Sequence, residues 1–240
     1  MKRPLMALLA IAIVASVVGA GMLLIPSGEE DRETLYQVST LEALMEGKYD
    51  GIRTVGDLKA NGDIGLGTFD SIDGEMIFLE GVCYQVTSDG QVHVMDDGEG
   101  VPFACVSYMD ADIQFDIECG MNLSQLEGFI GEKLPNQDFF VIQIDGEFED
   151  VLVRSVPRQE KPFPPLVDVI ANQTKFHYQN ISGTIVGIWS PSFVGEINAA
   201  GFHFHFISDD RTVGGHLLGC DVLEGSGMID DTPRLELEMR

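Results

Sequence analysis

A two-residue period in the hydrophobic pattern constrains the fold of this chain more than any other feature. Between residues 66 and 95 the strand-like runs are LGTFDSI, EMIFLEGVCYQVT and QVHVM, and the pairs Asp73-Gly74 and Asp89-Gly90 separate them. Successive side chains of a strand point to opposite faces of a sheet, so alternation is typical of strands with one buried face. Asp-Gly pairs favour hairpin turns. We therefore predict an antiparallel meander in which each run is one strand.

Strand-like patterns continue through the rest of the chain. The run DFFVIQIDGEFEDVLVRSV predicts two strands that turn at Asp145-Gly146, and five more runs follow residue 173: TKFHYQN, GTIVGIWSP, GFHFHFIS, TVGGHLLGCDV and PRLELEM. The capping spacing of Ser39-Thr40-Leu41-Glu42 and the caps Thr54 and Asn122 predict short helices, and PLVDVIAN predicts another. The predicted fold class is mixed α/β of the α+β type, strand-rich, with two β subdomains and a few short helices.

A proline-rich stretch suggests where the subdomains divide. The run KPFPP at 161–165 cannot continue a central strand, because proline lacks the backbone donor that a sheet needs. We predict an N-terminal α/β subdomain over residues 28–160. The C-terminal β subdomain, residues 161–240, carries the candidate metal site.

The first 27 residues have the pattern of a targeting segment. Lys2 and Arg3 precede an uncharged, mostly apolar run that ends near Pro26. This run is long enough to span a bilayer, and it also contains a small-residue cleavage pattern at 18–20, so a membrane anchor and a cleaved signal peptide both remain open. A buried core helix would need to explain why the run has no polar face. In either targeting case residues 28–240 are predicted to be extracytoplasmic, secreted or anchored to the membrane.

The charge balance excludes one class of partner. The formal net charge is -25, and removal of residues 1–27 takes away only Lys2 and Arg3, which leaves 39 acidic and 12 basic residues, or -27. Such a field repels nucleic acid and anionic membrane surfaces, so no nucleic-acid partner is expected. The simplest role of this charge is to keep the surface soluble.

The four cysteines do not form a recognisable metal or redox motif. Cys83, Cys105, Cys119 and Cys220 are too far apart in sequence for a zinc knuckle or a CxxC pair. In an exported domain they allow three disulfide connectivities, whereas Cys83 and Cys105 lie in apolar strands where buried free thiols are common. Both states are compatible with the sequence.

Three of the five histidines occur in the segment GFHFHFISDDRTVGGH. Alternation places His203 and His205 on one face of a strand, opposite the phenylalanines. A turn at residues 208–211 would set His203 opposite His216 and leave small residues, Gly214 and Gly215, to make room for a ligand. Three imidazoles on one face are typical of a catalytic zinc site with an open position, although another divalent metal fits too. The alternative is a surface strand with solvated histidines, and His93 and His177 are interpreted as structural.

Longer stretches resemble a known family. The runs YQVSTLEALMEGKYDG, LKANGDIGLGTFDSIDGEMIFLEGVCYQV, VRSVPRQEKPFPPL and GTIVGIWSPSF...INAAGFHFHFISDDRTVGGHLLGCDV are similar, in order, to alpha-acetolactate decarboxylases. The resemblance implies that His203, His205 and His216 bind zinc and that Glu75 and Arg154 are catalytic. It also implies a further glutamate beyond the last strand, and no residue of this chain is assigned to that role.

The resemblance implies a function as well. The expected reaction converts 2-acetolactate, a 2-hydroxy-3-oxo acid, to acetoin and carbon dioxide, with zinc as a Lewis acid. The expected partner is therefore a small molecule, and a homodimer is compatible with the sequence. From the residues alone, three other hypotheses remain: another three-histidine metal enzyme such as an oxygenase or hydrolase, a non-catalytic exported metal-binding module, and a structural interaction domain without metal.

Overall fold

The computed structural model describes residues 32–117 and 120–239. In chain order the strands are β1 (Thr34–Val38), β2 (Arg53–Thr54), β3 (Ile64–Thr68), β4 (Glu75–Leu79), β5 (Val82–Val86), β6 (Val92–Val94), β7 (Gly100–Val101), β8 (Phe103–Ser107), β9 (Ile113–Ile117), β10 (Met121–Asn122), β11 (Phe139–Ser155), β12 (Thr174–Ser190), β13 (Gly201–Ser208), β14 (Gly214–Thr232) and β15 (Arg234–Glu238). The helices are α1 (Leu41–Met45), α2 (Val55–Lys59), α3 (Leu123–Gly131) and α4 (Leu166–Ala171), with 3₁₀ turns at Asp70–Ile72 and Ser192–Val194. The predicted strand-rich α+β class is confirmed.

Two large sheets form the frame of the molecule. The first has the order β15-β1-β8-β3-β4-β5-β6, and it is antiparallel except where β15 runs parallel to β1. The second has the order β10-β14-β11-β12-β13, with β9 also on β14. Because β13 pairs with β14 as well as with β12, the second sheet closes on itself. Strands β2 and β7 pair separately.

Both sheets use residues from either side of the proline-rich stretch at 161–165. Strand β11 precedes that stretch and lies in the middle of the second sheet, whereas β15, at the end of the chain, joins the first sheet. Sheet membership therefore crosses residue 160. The division into an N-terminal subdomain over residues 28–160 and a C-terminal subdomain over 161–240 stays a prediction.

The helix starts predicted at Thr54 and Asn122 are confirmed by their caps, whereas α1 is capped one residue later than the Ser39–Glu42 spacing predicts. The Thr40 hydroxyl accepts a hydrogen bond from the Ala43 amide at the start of α1. Capping boxes formed by Thr54 with Asp57 and by Asn122 with Gln125 open α2 and α3. Each box satisfies backbone donors that a helix leaves free at its N-terminus, which explains why such short helices begin at these residues.

The core has three layers that follow the strand alternation. One cluster lies between the two sheets and includes Ile77 and Val86 from the first sheet with Val186 from the second. A second fills the inside of the closed sheet, where Phe148 and Phe206 meet edge-to-face at 5.4 Å between centroids and α3 adds Leu126 and Ile130. A third lies under α2 on the far face of the first sheet. The first of these layers surrounds the candidate site.

The predicted turn at Asp145-Gly146 is wrong, because β11 continues through it as one strand. Gly146 pairs with Gly183 on one side and with Gly225 on the other. A Cβ atom on Gly146 would lie 2.6 Å from the Glu224 carbonyl oxygen, so glycine is required here by close strand approach rather than by a turn.

Two other strand boundaries differ from the prediction. The runs TKFHYQN and GTIVGIWSP form a single strand, β12, although Asn180 has a positive φ of 51° within it. Conversely, the run EMIFLEGVCYQVT divides into β4 and β5 at Glu80 and Gly81, which both have positive φ. The backbone of these two residues is typical of a type I′ hairpin turn, and the sequence lacks the Asn-Gly or Asp-Gly pair that usually signals it.

Several predictions concern residues outside the described part of the chain. The signal peptide or membrane anchor at residues 1–27 lies there, as does Cys119. Among the described cysteines, Cys83, Cys105 and Cys220 are buried free thiols, and burial raises the pKa of each thiol to about 12. Within residues 32–117 and 120–239, no helix has the length and hydrophobicity needed to cross a membrane.

Candidate metal centre

Strand β13 separates two of its three phenylalanines from the histidines, as its alternation predicts. Phe204 and Phe206 point into the closed second sheet and pack in its core. His203 and His205 point to the other face, toward the first sheet, and His205 is only 1% exposed. The phenylalanines anchor the strand, and this anchoring presents the histidines at the interface between the two sheets.

The predicted register of the β13–β14 hairpin is wrong by two residues. His216 lies opposite His205 rather than His203, and Ile207 pairs with Gly214. The reason is that Ser208 belongs to the strand end: its amide donates to the Val213 carbonyl at 2.9 Å, which leaves residues 209–212 as the loop.

Gly214, two residues before His216, has a different role from the one predicted. A Cβ atom on Gly214 would lie 2.5 Å from the Phe206 carbonyl oxygen. Glycine is therefore needed at this position for close approach of β13 and β14, and it does not lie opposite His205.

Three histidines converge despite the shifted register. The Nδ1 atom of His216 lies 3.2 Å from His203 Nε2 and 3.3 Å from His205 Nε2. One ring nitrogen from each residue lies within 4.8 Å of the others, and the ring centroids are 4.9 to 5.2 Å apart. Three nitrogens at this spacing can hold one divalent metal ion.

The backbone of the first sheet orients His205. Its Nδ1 atom lies 2.7 Å from the Met76 carbonyl oxygen on β4, so Nδ1 carries the proton and donates it. The Nε2 atom then keeps its lone pair and faces the other two rings. A hydrogen bond of this kind fixes the tautomer and orientation of a metal-binding histidine.

The surroundings of the three rings keep them uncharged. Burial, followed by the nearby charge of Arg154, lowers the pKa of His203 to about 4. Burial lowers the pKa of His205 well below its ordinary value, as do His203 and Arg154, while the hydrogen bond to Met76 opposes this shift. Burial also lowers the pKa of His216, and His203 and Arg154 act in the same direction. All three imidazoles are therefore neutral at neutral pH, the state that binds metal.

A buried ion pair borders the histidines. Arg154 Nη1 donates to Glu75 Oε1 at 2.7 Å, and the two side chains are 14% and 7% exposed. Glu75 Oε2 lies 3.6 Å from His205 Nε2, a contact with a neutral ring rather than a salt bridge. Burial raises the pKa of Glu75, and the neighbouring guanidinium of Arg154 opposes that rise.

Neighbouring strands bring this pair together. Glu75 is the first residue of β4, and Arg154 lies on β11 directly opposite His216 of β14. Paired residues of a sheet project from the same face, so Arg154 and His216 both point toward the first sheet. The site is thus built across the interface between the two sheets.

A cavity of about 260 Å³ contains all five polar side chains. Its remaining wall is mostly apolar. Helices α1 and α4 and several strand ends and turns contribute to this wall: Leu41, Leu44, Ile72, Phe103, Val156, Leu166, Ile170 and Phe202. An apolar cavity with a few convergent polar groups is typical of a small-molecule site. Since each histidine lines this cavity, a metal held there would have its open side toward a ligand, as in catalytic zinc sites.

The sequence of this chain is similar to known proteins over most of its length. Residues 35–240 match the sequence profile described as alpha-acetolactate decarboxylase. The chain belongs to the alpha-acetolactate decarboxylase family. It is 43% identical to the alpha-acetolactate decarboxylase of Methanosarcina mazei, over 86% of this chain and 72% of that protein. It is 39% identical to the alpha-acetolactate decarboxylase of Methylococcus capsulatus, over 91% of this chain and 84% of that protein. This family member is therefore an enzyme, a carbon-carbon lyase.

A solved structure supports the same assignment. The alpha-acetolactate decarboxylase of Bacillus subtilis strain 168 superposes with a TM-score of 0.83 at 34% identity, covering 85% of this chain and 88% of that one. The resemblance stated from the sequence motifs is therefore confirmed, and so are the fold class and the enzyme class that it implied.

The remaining histidines lie elsewhere. His93 is exposed on β6, and His177 on β12 contacts Asp150 at the surface. Sequence reasoning did not find the apolar wall from α1 and α4, because these helices are 120 residues apart and carry no local signal for a shared cavity. It also did not find the Met76 carbonyl, since a backbone acceptor has no sequence signature.

Proposed function

We propose that this enzyme converts 2-acetolactate to acetoin and carbon dioxide with zinc, or another divalent metal ion, bound by His203, His205 and His216. The observation that carries the proposal is the cavity in which three neutral imidazoles face the Glu75–Arg154 pair in a member of this family. The donor set fits zinc, which three histidine nitrogens bind in catalytic sites that keep a position open.

The reaction needs a place for two electrons. The bond between the carboxylate and the hydroxyl-bearing carbon breaks, carbon dioxide leaves, and the electron pair moves toward the adjacent ketone as an enolate. A proton then adds to the former carboxylate-bearing carbon, so one proton is consumed for each acetoin formed. When bound, zinc supplies Lewis acidity that stabilises negative charge on oxygen.

Arg154 is proposed to bind the substrate carboxylate. Its guanidinium lies in the cavity wall beside the histidines and has further donors besides the one that Glu75 accepts. A planar guanidinium binds carboxylates in a defined orientation. In this role Arg154 orients the bond that breaks, and its charge then favours the electron-rich state that follows.

Glu75 is proposed to handle the proton. Burial raises its pKa toward the working range of a general acid or base, and its Oε2 atom borders the histidine cluster. From this position the carboxyl group can hold the proton of the substrate hydroxyl and pass a proton to the carbon centre. Arg154 holds one carboxyl oxygen in place, so the other is oriented toward the substrate.

Metal analysis and a product assay test this proposal together. Protein over residues 28–240 is purified, its metal content is measured, and acetoin is assayed from 2-acetolactate before and after chelation. We expect about one zinc per chain, acetoin formation, loss of turnover on chelation and recovery on adding zinc. Metal-free protein with full acetoin formation, or a metal-loaded protein that forms no acetoin, would contradict the proposal.

We also propose that the enzyme works outside the cytoplasm. The support is the basic and then apolar segment over residues 1–27, which has the pattern of a signal peptide or a membrane anchor. Fractionation of cells that express the full chain, followed by N-terminal sequencing, tests this. Full-length protein in the cytoplasm would contradict it.

A further inference from the structure

A buried polar network fixes the loop that precedes the histidine strand. Gln37 on β1 is 0% exposed, and its Nε2 atom donates to the Ser39 carbonyl at 2.8 Å and to the Ile197 carbonyl at 2.7 Å. Asn198 is 2% exposed, and its Nδ2 atom donates to Gln37 Oε1 at 3.0 Å and to Cys105 Sγ at 3.2 Å. These contacts join the loop over residues 191–200 to β1 and β8.

Both amides are fully satisfied. A side-chain amide has two N–H donors and one carbonyl oxygen. Gln37 donates twice and accepts once, and Asn198 donates twice while its Oδ1 atom accepts from the Ala199 amide at 2.7 Å. Rotation of either amide by 180° would bring like atoms together. The network therefore specifies one position of the loop.

Helix α1 binds the same loop. The amides of Leu41 and Glu42, in the first helical turn, donate to the carbonyls of Ile197 and Glu196, each at 2.9 Å. Backbone donors at a helix start have no partner within the helix, so the loop satisfies them. The loop and α1 are consequently held as one unit.

This unit forms the cavity wall and leads to the first histidine. Leu41 and Leu44 reach the cavity from α1, and Ala199 and Phe202 reach it from the loop end and the start of β13. His203 follows Asn198 by five residues. A shift of the loop would therefore move both the apolar wall and one metal-binding ring.

We infer that Gln37 and Asn198 are positioning residues of the active site, which hold the loop over 191–200 so that the apolar wall and His203 keep the geometry for metal and substrate. The inference rests on the proposed function. Apolar side chains would fill the same core without the cost of burying two amides, and the amides supply the directional contacts that apolar groups lack.

The test compares three single variants of the zinc-loaded enzyme. Asn198→Ala removes the link between loop and sheet, and Asn198→Ser keeps only a short hydroxyl. Ser107→Ala is the matched control, because Ser107 is also fully buried and donates from β8 to the Thr34 carbonyl on β1 at 3.0 Å without contacting the loop. Zinc affinity is measured by competition with a chromophoric chelator, melting temperature by circular dichroism, and KM and kcat at saturating zinc.

We expect Asn198→Ala to weaken zinc binding by about 10- to 100-fold, the range seen when groups behind a metal ligand are removed. At saturating zinc, KM is expected to rise by about tenfold with a smaller change in kcat, because the wall contributes binding rather than chemistry. Asn198→Ser should give intermediate values, and Ser107→Ala should keep wild-type zinc affinity and KM.

Two results would overturn the inference. One is a folded Asn198→Ala or Asn198→Ser protein with wild-type zinc affinity and KM. The other is an equal loss of zinc affinity in Ser107→Ala, which would indicate a general effect of lower stability. Failure of the wild-type enzyme to form acetoin would instead contradict the proposed function and leave the comparison of zinc affinities intact.

Discussion

Arg154 and Glu75 connect the two sheets by a buried ion pair with a 2.7 Å contact between Nη1 and Oε1. Arg154 lies in the second sheet and Glu75 at the start of β4 in the first, and 79 residues separate them in sequence. Glu75 is buried and Arg154 is mostly buried, so their contact with water is limited to the cavity that both side chains line. The pair therefore contributes to both the packing of the sheets and the chemistry proposed for the cavity.

Removal of Arg154 is expected to separate turnover from metal binding. Arg154→Ala leaves the three histidines in place, so the variant should retain zinc while kcat falls by about 10²- to 10³-fold, as for loss of one group that stabilises developing charge. The buried Glu75 carboxyl also loses its partner, and stability should fall by about 3 to 5 kcal/mol. Zinc content, acetoin formation and urea unfolding measure the three effects.

A double variant distinguishes packing from chemistry. Arg154→Met with Glu75→Gln removes both charges, so much of the lost stability should return while kcat stays no higher than in Arg154→Ala. Lys59→Ala is a suitable control, because Lys59 pairs with Asp97 at an exposed site and its removal should change stability by less than about 1 kcal/mol. Recovered turnover in the double variant would contradict the roles proposed for both residues.

Metal and activity should disappear together when His205 is replaced. His205→Ala deletes the ring that the Met76 carbonyl orients, and two remaining imidazoles hold zinc poorly. We expect zinc content near background and no measurable acetoin. His93→Ala, which changes an exposed histidine on β6, should retain both zinc and activity. Full activity in the His205 variant would eliminate the metal site as the catalytic centre.

Much of the site geometry is encoded locally, and the sequence predicts that part well. The alternation in GFHFHFIS places His203 and His205 on one face because strand side chains alternate, whatever the rest of the fold does. Helix starts are predictable for a similar reason, since a cap such as Asn122 satisfies donors within its own helix.

Register and long-range contacts depend on information that no short pattern contains. Two alternative turns around Ser208 differ by one residue, and hydrogen bonds from Ser208 to Asp210 and Val213 select the one that pairs His205 with His216. The Arg154–Glu75 contact depends on how two sheets pack, and only the family resemblance pointed to it. The strand through Gly146 was missed because close approach and turns both favour glycine.

A single methyl group on Gly214 should disturb the metal site through the backbone. The added Cβ of Gly214→Ala would lie 2.5 Å from the Phe206 carbonyl, so β13 and β14 must separate where His205 pairs with His216. We expect weaker zinc binding and a lower melting temperature. Gly219→Ala on the same strand is the control, because its Cβ meets nothing closer than 3.8 Å. Equal zinc affinities in the two variants would show that strand spacing at Gly214 does not govern the site.

Asp230 should make stability depend on pH. This residue of β14 is 2% exposed, and its Oδ2 atom has no hydrogen-bond partner among the described residues. Burial raises the pKa of Asp230 to about 8. A hydrogen bond from the Asp110 backbone opposes this rise, and the charges of Asp112, Glu33 and Asp110 add to it. An unfolded aspartate titrates near pH 3.9. Between these values the folded chain holds more protons than the unfolded chain, so this residue lowers stability as pH rises from about 4 to about 8.

Asp230→Asn removes that titration and keeps the shape of the side chain. At pH 8 the melting temperature should therefore rise by at least about 3 °C, equivalent to at least about 1 kcal/mol in a chain of this size, whereas at pH 4 the two proteins should melt within about 1 °C. Asp221→Asn, at an exposed position of the same strand, is the control for removal of one negative charge. Melting curves at half-unit steps from pH 4 to pH 8.5 provide the measurement. A difference between Asp230→Asn and wild type that stays constant across this range would contradict a buried, proton-binding carboxyl group at Asp230.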